Sequence, residues 1–116
     1  MTSGERLFVR VDATSKTGLG HLNRCLALAQ HWRATHGPVT FVGRYADGIG
    51  AKLAHERIDV AALAAMHPDP ADLTAVLDLI DAPATVVLDG YHFDYGYQNA
   101  LAASHRVLVV DDLGHL

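Results

Sequence analysis

The sequence has a single cysteine, Cys25, in 116 residues, so no internal disulfide framework can form. A reducing compartment suits such a chain, and a cytoplasmic location is expected. Cations are also scarce: nine Lys and Arg stand against 13 Asp and Glu, for a formal net charge of −4. No Lys/Arg cluster occurs, so the electrostatic footprint of a nucleic-acid binder is missing. No apolar run approaches the length that crosses a bilayer. Met1-Thr2-Ser3-Gly4-Glu5 carries neither the charged nor the apolar segment of a signal peptide. Neither nucleic acid nor membrane is therefore an expected partner. Charged residues make up only 19% of the chain and apolar ones 50%, which excludes the disordered class. The length suits one domain with one core. What the chain has in excess is histidine, with eight residues.

Short apolar runs alternate with longer amphipathic ones. Strands are expected at Leu7 to Val11, Val39 to Val42, Ile58 to Leu63, Ala84 to Leu88 and Val107 to Val110. Helices are expected at Leu22 to His36, Asp47 to Glu56, Pro70 to Ile80 and Tyr95 to Ser104. In the first helix, Leu22, Cys25, Leu26, Ala29 and Trp32 follow the i, i+3, i+4, i+7 spacing of a buried face. Gly37-Pro38 ends it. Asp69 is a suitable N-cap for the third helix, with Pro70 at its first position. Nearly continuous apolar strands separated by helices mean a parallel sheet covered on both faces. Right-handed crossovers then give a doubly wound, Rossmann-like α/β fold, with expected strand order 3-2-1-4-5.

In such a sheet ligands bind beyond the carboxyl ends of the strands, at the switch point between strands 1 and 4. Strand 1 runs into Asp12, strand 4 into Asp89 and strand 5 into Asp111-Asp112. One such aspartate is usually a helix cap or a loop anchor. Three such strand ends on one rim point to a cleft. Between strand 1 and helix 1 lies Thr14-Ser15-Lys16-Thr17-Gly18-Leu19-Gly20-His21. Gly18 and Gly20 permit positive φ and close approach of a ligand to the backbone. The helix start offers unpaired N–H groups and partial positive charge. The dinucleotide fingerprint is incomplete, because Asn23 stands at its third glycine, and no acidic residue closes strand 2. The lysine precedes the glycine pair, so the loop is not a P-loop.

His21 stands at or beside the first residue of helix 1, where the helix dipole favours a neutral imidazole able to accept a proton from water. Arg24, three residues on, shares its edge of the helix and would be a fixed cation facing the cleft. The alternative is a capping histidine with Arg24 as a surface charge. After strand 4, Asp89-Gly90-Tyr91-His92-Phe93-Asp94-Tyr95-Gly96-Tyr97 crowds aromatic and polar side chains together. Tyr91 and His92 suit a sugar-stacking wall, whereas Tyr95 and Tyr97 read as helix residues packing on the core. Asp89, His92, Asp111, Asp112 and His115 contain oxygen and nitrogen donors, but no local metal-ligand spacing links them. No metal and no cofactor is expected. Cys25, on the inward helix face, reads as a small core residue rather than a nucleophile.

Thr17-Gly18-Leu19-Gly20-His21-Leu22-Asn23-Arg24, following Arg10-Val11-Asp12-Ala13, resembles the N-terminal part of PseG-type UDP-sugar hydrolases of the pseudaminic acid pathway. Val87-Leu88-Asp89-Gly90-Tyr91 and Val109-Val110-Asp111-Asp112 extend the resemblance along the chain. That family is similar in fold to GT-B glycosyltransferases. The resemblance implies metal-free attack of water on the anomeric carbon of a UDP-linked 2,4-diacetamido-2,4,6-trideoxy sugar. His21 would position or deprotonate the water. Asp12, Arg24, Tyr91 and the Asp111-Asp112 pair would shape the sugar side of the cleft, and the helix 1 start would face the pyrophosphate. The chain departs from the family where Gly90 precedes Tyr91 and His92 follows it, in place of a His-Tyr pair. A GT-B architecture also implies a second domain holding most of the nucleotide. Residues 1–116 are then one incomplete N-terminal domain, expected to be inactive alone. A GT-B glycosyltransferase, or a stand-alone nucleotide-binding domain, fits the same pattern.

Overall fold

Leu7, Phe8, Val9 and Val11, with Arg10 set among them, form the central strand of a five-stranded, all-parallel sheet. The computed structural model describes residues 5–14, 20–64, 69–80, 83–89 and 93–110. The elements alternate without exception: β1 (Leu7–Val11), α1 (Gly20–Thr35), β2 (Val39–Gly43), α2 (Ile49–His55), β3 (Asp59–Ala62), α3 (Pro70–Leu79), β4 (Thr85–Asp89), α4 (Tyr95–Ala102) and β5 (Arg106–Val110). The sheet order is β3-β2-β1-β4-β5, the doubly wound order expected from the pattern. The chain reverses its direction of travel across the sheet between β1 and β4, which pair from Leu7 with Thr85 to Val11 with Asp89.

Strand alternation sorts the core into two halves. Leu7, Val9, Val11 and Ala13 face α1 and α2, and pack with Leu22, Cys25, Ala29, Leu53, Phe41 and Val87. Val42, Val86 and Leu88 face the other way, and pack with Val76, Ile80, Phe93, Tyr97 and Leu101 of the α3/α4 side. The period of two along each strand therefore decides which layer each side chain reaches. Ala13 carries the alternation one step beyond β1, through a bridge to Tyr45.

Local chemistry sets the helix ends. Asp69 caps α3 by accepting the Ala71 N–H at 2.9 Å, with Pro70 in the first turn. Asp94 caps α4 by accepting the Tyr97 N–H at 2.9 Å. α2 starts at Ile49, two residues later than expected, because Gly48 sits at φ 87° and cannot belong to a right-handed helix. Its far end is a Schellman motif. The Arg57 N–H bonds Ala54 O at 2.9 Å and the Ile58 N–H bonds Leu53 O at 3.0 Å, with Arg57 at φ 63°. β5 forms one edge of the sheet, leaving Leu108 and Val109 half-exposed. No helix among the described residues is long and apolar enough to cross a membrane.

Candidate functional site

Asp89 ends β4 on the face that Val87 shares, so its carboxylate rises beneath the first turns of α1. His21, Arg24 and Cys25 stand at i, i+3 and i+4 on that helix and so share one edge. All three reach the same carboxylate. His21 Nδ1 lies 2.6 Å from Asp89 Oδ1. Arg24 grips both oxygens, Nε to Oδ2 at 2.8 Å and Nη2 to Oδ1 at 2.7 Å. The Cys25 thiol donates to Oδ2 at 3.1 Å. The Asp89 side chain is 0% exposed, His21 22% and Arg24 37%. A buried carboxylate thus underlies a half-open histidine–arginine edge, at the switch point where the fold places ligands.

Burial opposes ionisation of Asp89, but the donors from Arg24, Cys25 and His21 outweigh it and hold the carboxyl below its usual range. Cys25 shifts the opposite way. Burial, and then the bond to Asp89, pushes its thiol far up, so it remains protonated at neutral pH. It is a hydrogen-bond donor rather than a thiolate nucleophile, in line with its expected packing on the inward helix face.

A second polar cluster lies on the other side of the sheet. The Arg10 guanidinium, fully buried, bonds Asp12 Oδ1 at 2.6 Å and Asp72 Oδ1 at 3.1 Å, and closes its fork on Asp72 Oδ2. Tyr97 donates its hydroxyl to Asp72 Oδ1 at 2.7 Å, and the Phe93 ring lies 4.9 Å from the guanidinium carbon. Burial works against the Arg10 charge, yet the bonds to Asp72 and Asp12 overcome it and hold the proton more firmly than usual. This cluster ties β1 to α3 and α4.

Asp12, expected at the cleft, belongs to this cluster. Position 13 packs against the α1 layer, so position 12 faces the α3/α4 layer. Its Oδ1 accepts from Arg10 and from the Arg44 N–H at 2.9 Å, and the residue is buried. Asp12 therefore anchors the β1 and β2 ends to each other, on the side of the sheet away from His21. Arg24, expected as a cation lining the cleft, directs its fork onto Asp89. Gly20 is the first residue of α1, its φ is not positive, and a Cβ there would meet nothing within 4 Å. A glycine is instead demanded at Gly43, where a Cβ would collide with the Val11 carbonyl and come within 2.9 Å of Arg10 and Asp12. Gly18, Tyr91, His92, Asp111 and Asp112 lie outside the described residues, as does His115. Tyr97 is buried on α4 as expected, and Tyr95 is exposed. Among the described residues no group of three or more His, Cys, Asp or Glu forms a metal-binding cluster.

Two features escaped the sequence reading. Asp89 was visible as a strand-end aspartate, but not as the partner of His21. The signal was present in the i, i+3, i+4 spacing of His21, Arg24 and Cys25 combined with the face of β4 that carries Asp89. Asp72 was hidden, because an aspartate in the first turn of a helix ordinarily faces water. Searches against family models, curated proteins and solved structures returned no match to this chain.

Proposed function

We propose that the chain is the base-carrying half of a UDP-sugar hydrolase of PseG type. It would release UDP from a 2,4-diacetamido-2,4,6-trideoxy sugar in cytoplasmic synthesis of a surface glycan. The observation that carries this reading is the 2.6 Å pairing of His21 Nδ1 with buried Asp89 at the switch point. A histidine oriented through one ring nitrogen by a carboxylate does its proton chemistry through the other. In the proposed step a water oxygen bonds the anomeric carbon while its proton passes to His21 Nε2. The bond from that carbon to the pyrophosphate oxygen breaks, and its electron pair leaves with UDP. The first N–H groups of α1, which begins at Gly20, suit the charge on the departing pyrophosphate.

Arg24 serves this chemistry indirectly, as the counter-ion that keeps Asp89 ionised and fixed. Gly18, Tyr91, His92 and the Asp111-Asp112 pair would complete the loop and the sugar side. Asp12 acts as a structural anchor. In this reading no metal or cofactor takes part, and a second Rossmann-like domain follows to hold the nucleotide.

The test is UDP release by this chain joined to that domain. His21→Ala is expected to reduce turnover about 100- to 10,000-fold, the contribution of a positioned base, with UDP binding retained. Near-normal turnover rejects the assignment. The same base would also suit deprotonation of an acceptor hydroxyl. Incubation without any acceptor separates the two, since a strict transferase releases little UDP.

A further inference from the structure

Asp89 has two oxygens, and each receives two donors. Oδ1 takes Arg24 Nη2 at 2.7 Å and His21 Nδ1 at 2.6 Å; Oδ2 takes Arg24 Nε at 2.8 Å and the Cys25 thiol at 3.1 Å. An ionised carboxylate offers about four acceptor positions, so this set saturates it. Arg24 Nη2 also lies 3.0 Å from His21 Nδ1, so two tautomers of His21 compete. With the proton on Nε2, Nδ1 would accept from Arg24, but its lone pair would face the Oδ1 lone pairs at 2.6 Å. With the proton on Nδ1, that contact becomes a charge-assisted hydrogen bond. The second arrangement wins for as long as Asp89 is held in place and ionised.

From this geometry we infer that Cys25 is a positioning residue, whose thiol locks Asp89 and thereby holds His21 in the Nδ1–H tautomer, with Nε2 as the basic atom. Three facts support it. Cys25 and His21 are one helical turn apart on the same edge, so both approach the carboxylate from α1. The thiol is buried and its carboxylate partner is 0% exposed, so water is poorly placed to substitute for a lost donor. The Arg24 fork already occupies both oxygens, so without the thiol the carboxylate keeps a single donor on Oδ2. A buried, under-satisfied oxygen favours rotation toward a new partner, and that rotation draws Oδ1 away from Nδ1. The importance of Nε2 for turnover rests on the hydrolase reading; the tautomer itself does not.

The experiment is nitrogen-15 NMR of the histidine-labelled 116-residue protein, which assigns the protonated ring nitrogen of His21 without any substrate. Cys25→Val keeps bulk without a donor, and Cys25→Ser restores a donor. The unsubstituted protein and Cys25→Ser are expected to show the Nδ1–H form. Cys25→Val is expected to shift a large fraction to the Nε2–H form that predominates for free imidazole side chains. In the two-domain enzyme, Cys25→Val is expected to lower kcat about tenfold with KM nearly unchanged, a part of what a positioned base supplies. Should Cys25→Val not fold, the smaller Cys25→Ala is read in its place. An Nε2–H form in the unsubstituted protein overturns the inference, as does an undisturbed Nδ1–H form in the donor-free variant. If the tautomers behave as stated and no UDP is released, the hydrolase reading alone fails.

Discussion

Replacing Arg10 by methionine offers a severe test of the buried cluster behind β1. Methionine retains much of the unbranched arginine stem and removes the charge. The side chains of Arg10, Asp12 and Asp72 are at most 1% exposed, so water cannot take over the lost bonds without opening the core. Asp72 would retain the Tyr97 hydroxyl at 2.7 Å, and Asp12 the Arg44 N–H at 2.9 Å. Removing one partner of a buried ion pair typically costs about 3–5 kcal/mol, because the remaining charge is stranded. Two buried carboxylates lose their guanidinium here, so the upper end of that range is expected. A domain of this length has a stability of roughly 6–17 kcal/mol, so Arg10→Met removes a large part of it. Urea unfolding at neutral pH, followed by far-UV circular dichroism, measures the loss. Adding Asp72→Asn should recover more than about 1 kcal/mol by discharging one carboxylate that has lost its counter-ion, a coupling that a double-mutant cycle isolates. A loss under about 1 kcal/mol for Arg10→Met, or no recovery in the double variant, would refute the claim that this cluster consists of desolvated charges.

Three further outcomes are expected. Asp89 is held below its usual carboxyl range, so its ionised form adds stability above the unfolded value of about 3.9, and that stability is lost as pH falls through the lower folded value. Acid unfolding of Asp89→Asn should accordingly start from a less stable protein and fall less steeply below about pH 4. Gly43→Ala should destabilise by about 3 kcal/mol, since the new methyl group meets the Val11 backbone and cannot be relieved by a rotamer change; a thermal melt checks this. Arg57→Gly should stabilise by about 0.5–1 kcal/mol, the left-handed strain at φ 63° outweighing the added freedom of the unfolded chain. An unchanged or lower midpoint in urea would contradict that expectation.

The architecture was legible because its signals are local. Valine-rich runs at 39–43 and 85–89 can only be strands buried on both faces, and Leu22, Cys25 and Ala29 mark the inward side of α1 by spacing alone. Asp69 with Pro70 announced the start of α3 for the same reason. Where α2 begins was misjudged, because a glycine inside a polar stretch does not reveal the sign of its φ.

His21 and Arg24 could be singled out from the loop that precedes them, since a strand–glycine–helix junction already specifies unpaired N–H groups and a rim. Their partner could not be. Asp12 and Asp89 look alike in the chain, each an aspartate closing an apolar strand. Strand register and face alternation send one beneath α1 to meet His21, Arg24 and Cys25, and the other to Arg10 on the opposite side. Residue type and spacing determined the elements and their order, because hydrophobic periodicity and caps act over a few residues. Which carboxylate pairs with the histidine, and which one ties the end of β1 to the end of β2, was decided by tertiary structure. The pairing of Asp89 with His21 joins residues 68 positions apart and that of Asp12 with the Arg44 N–H residues 32 apart, and only the crossover of strands around the sheet brings them within hydrogen-bond reach.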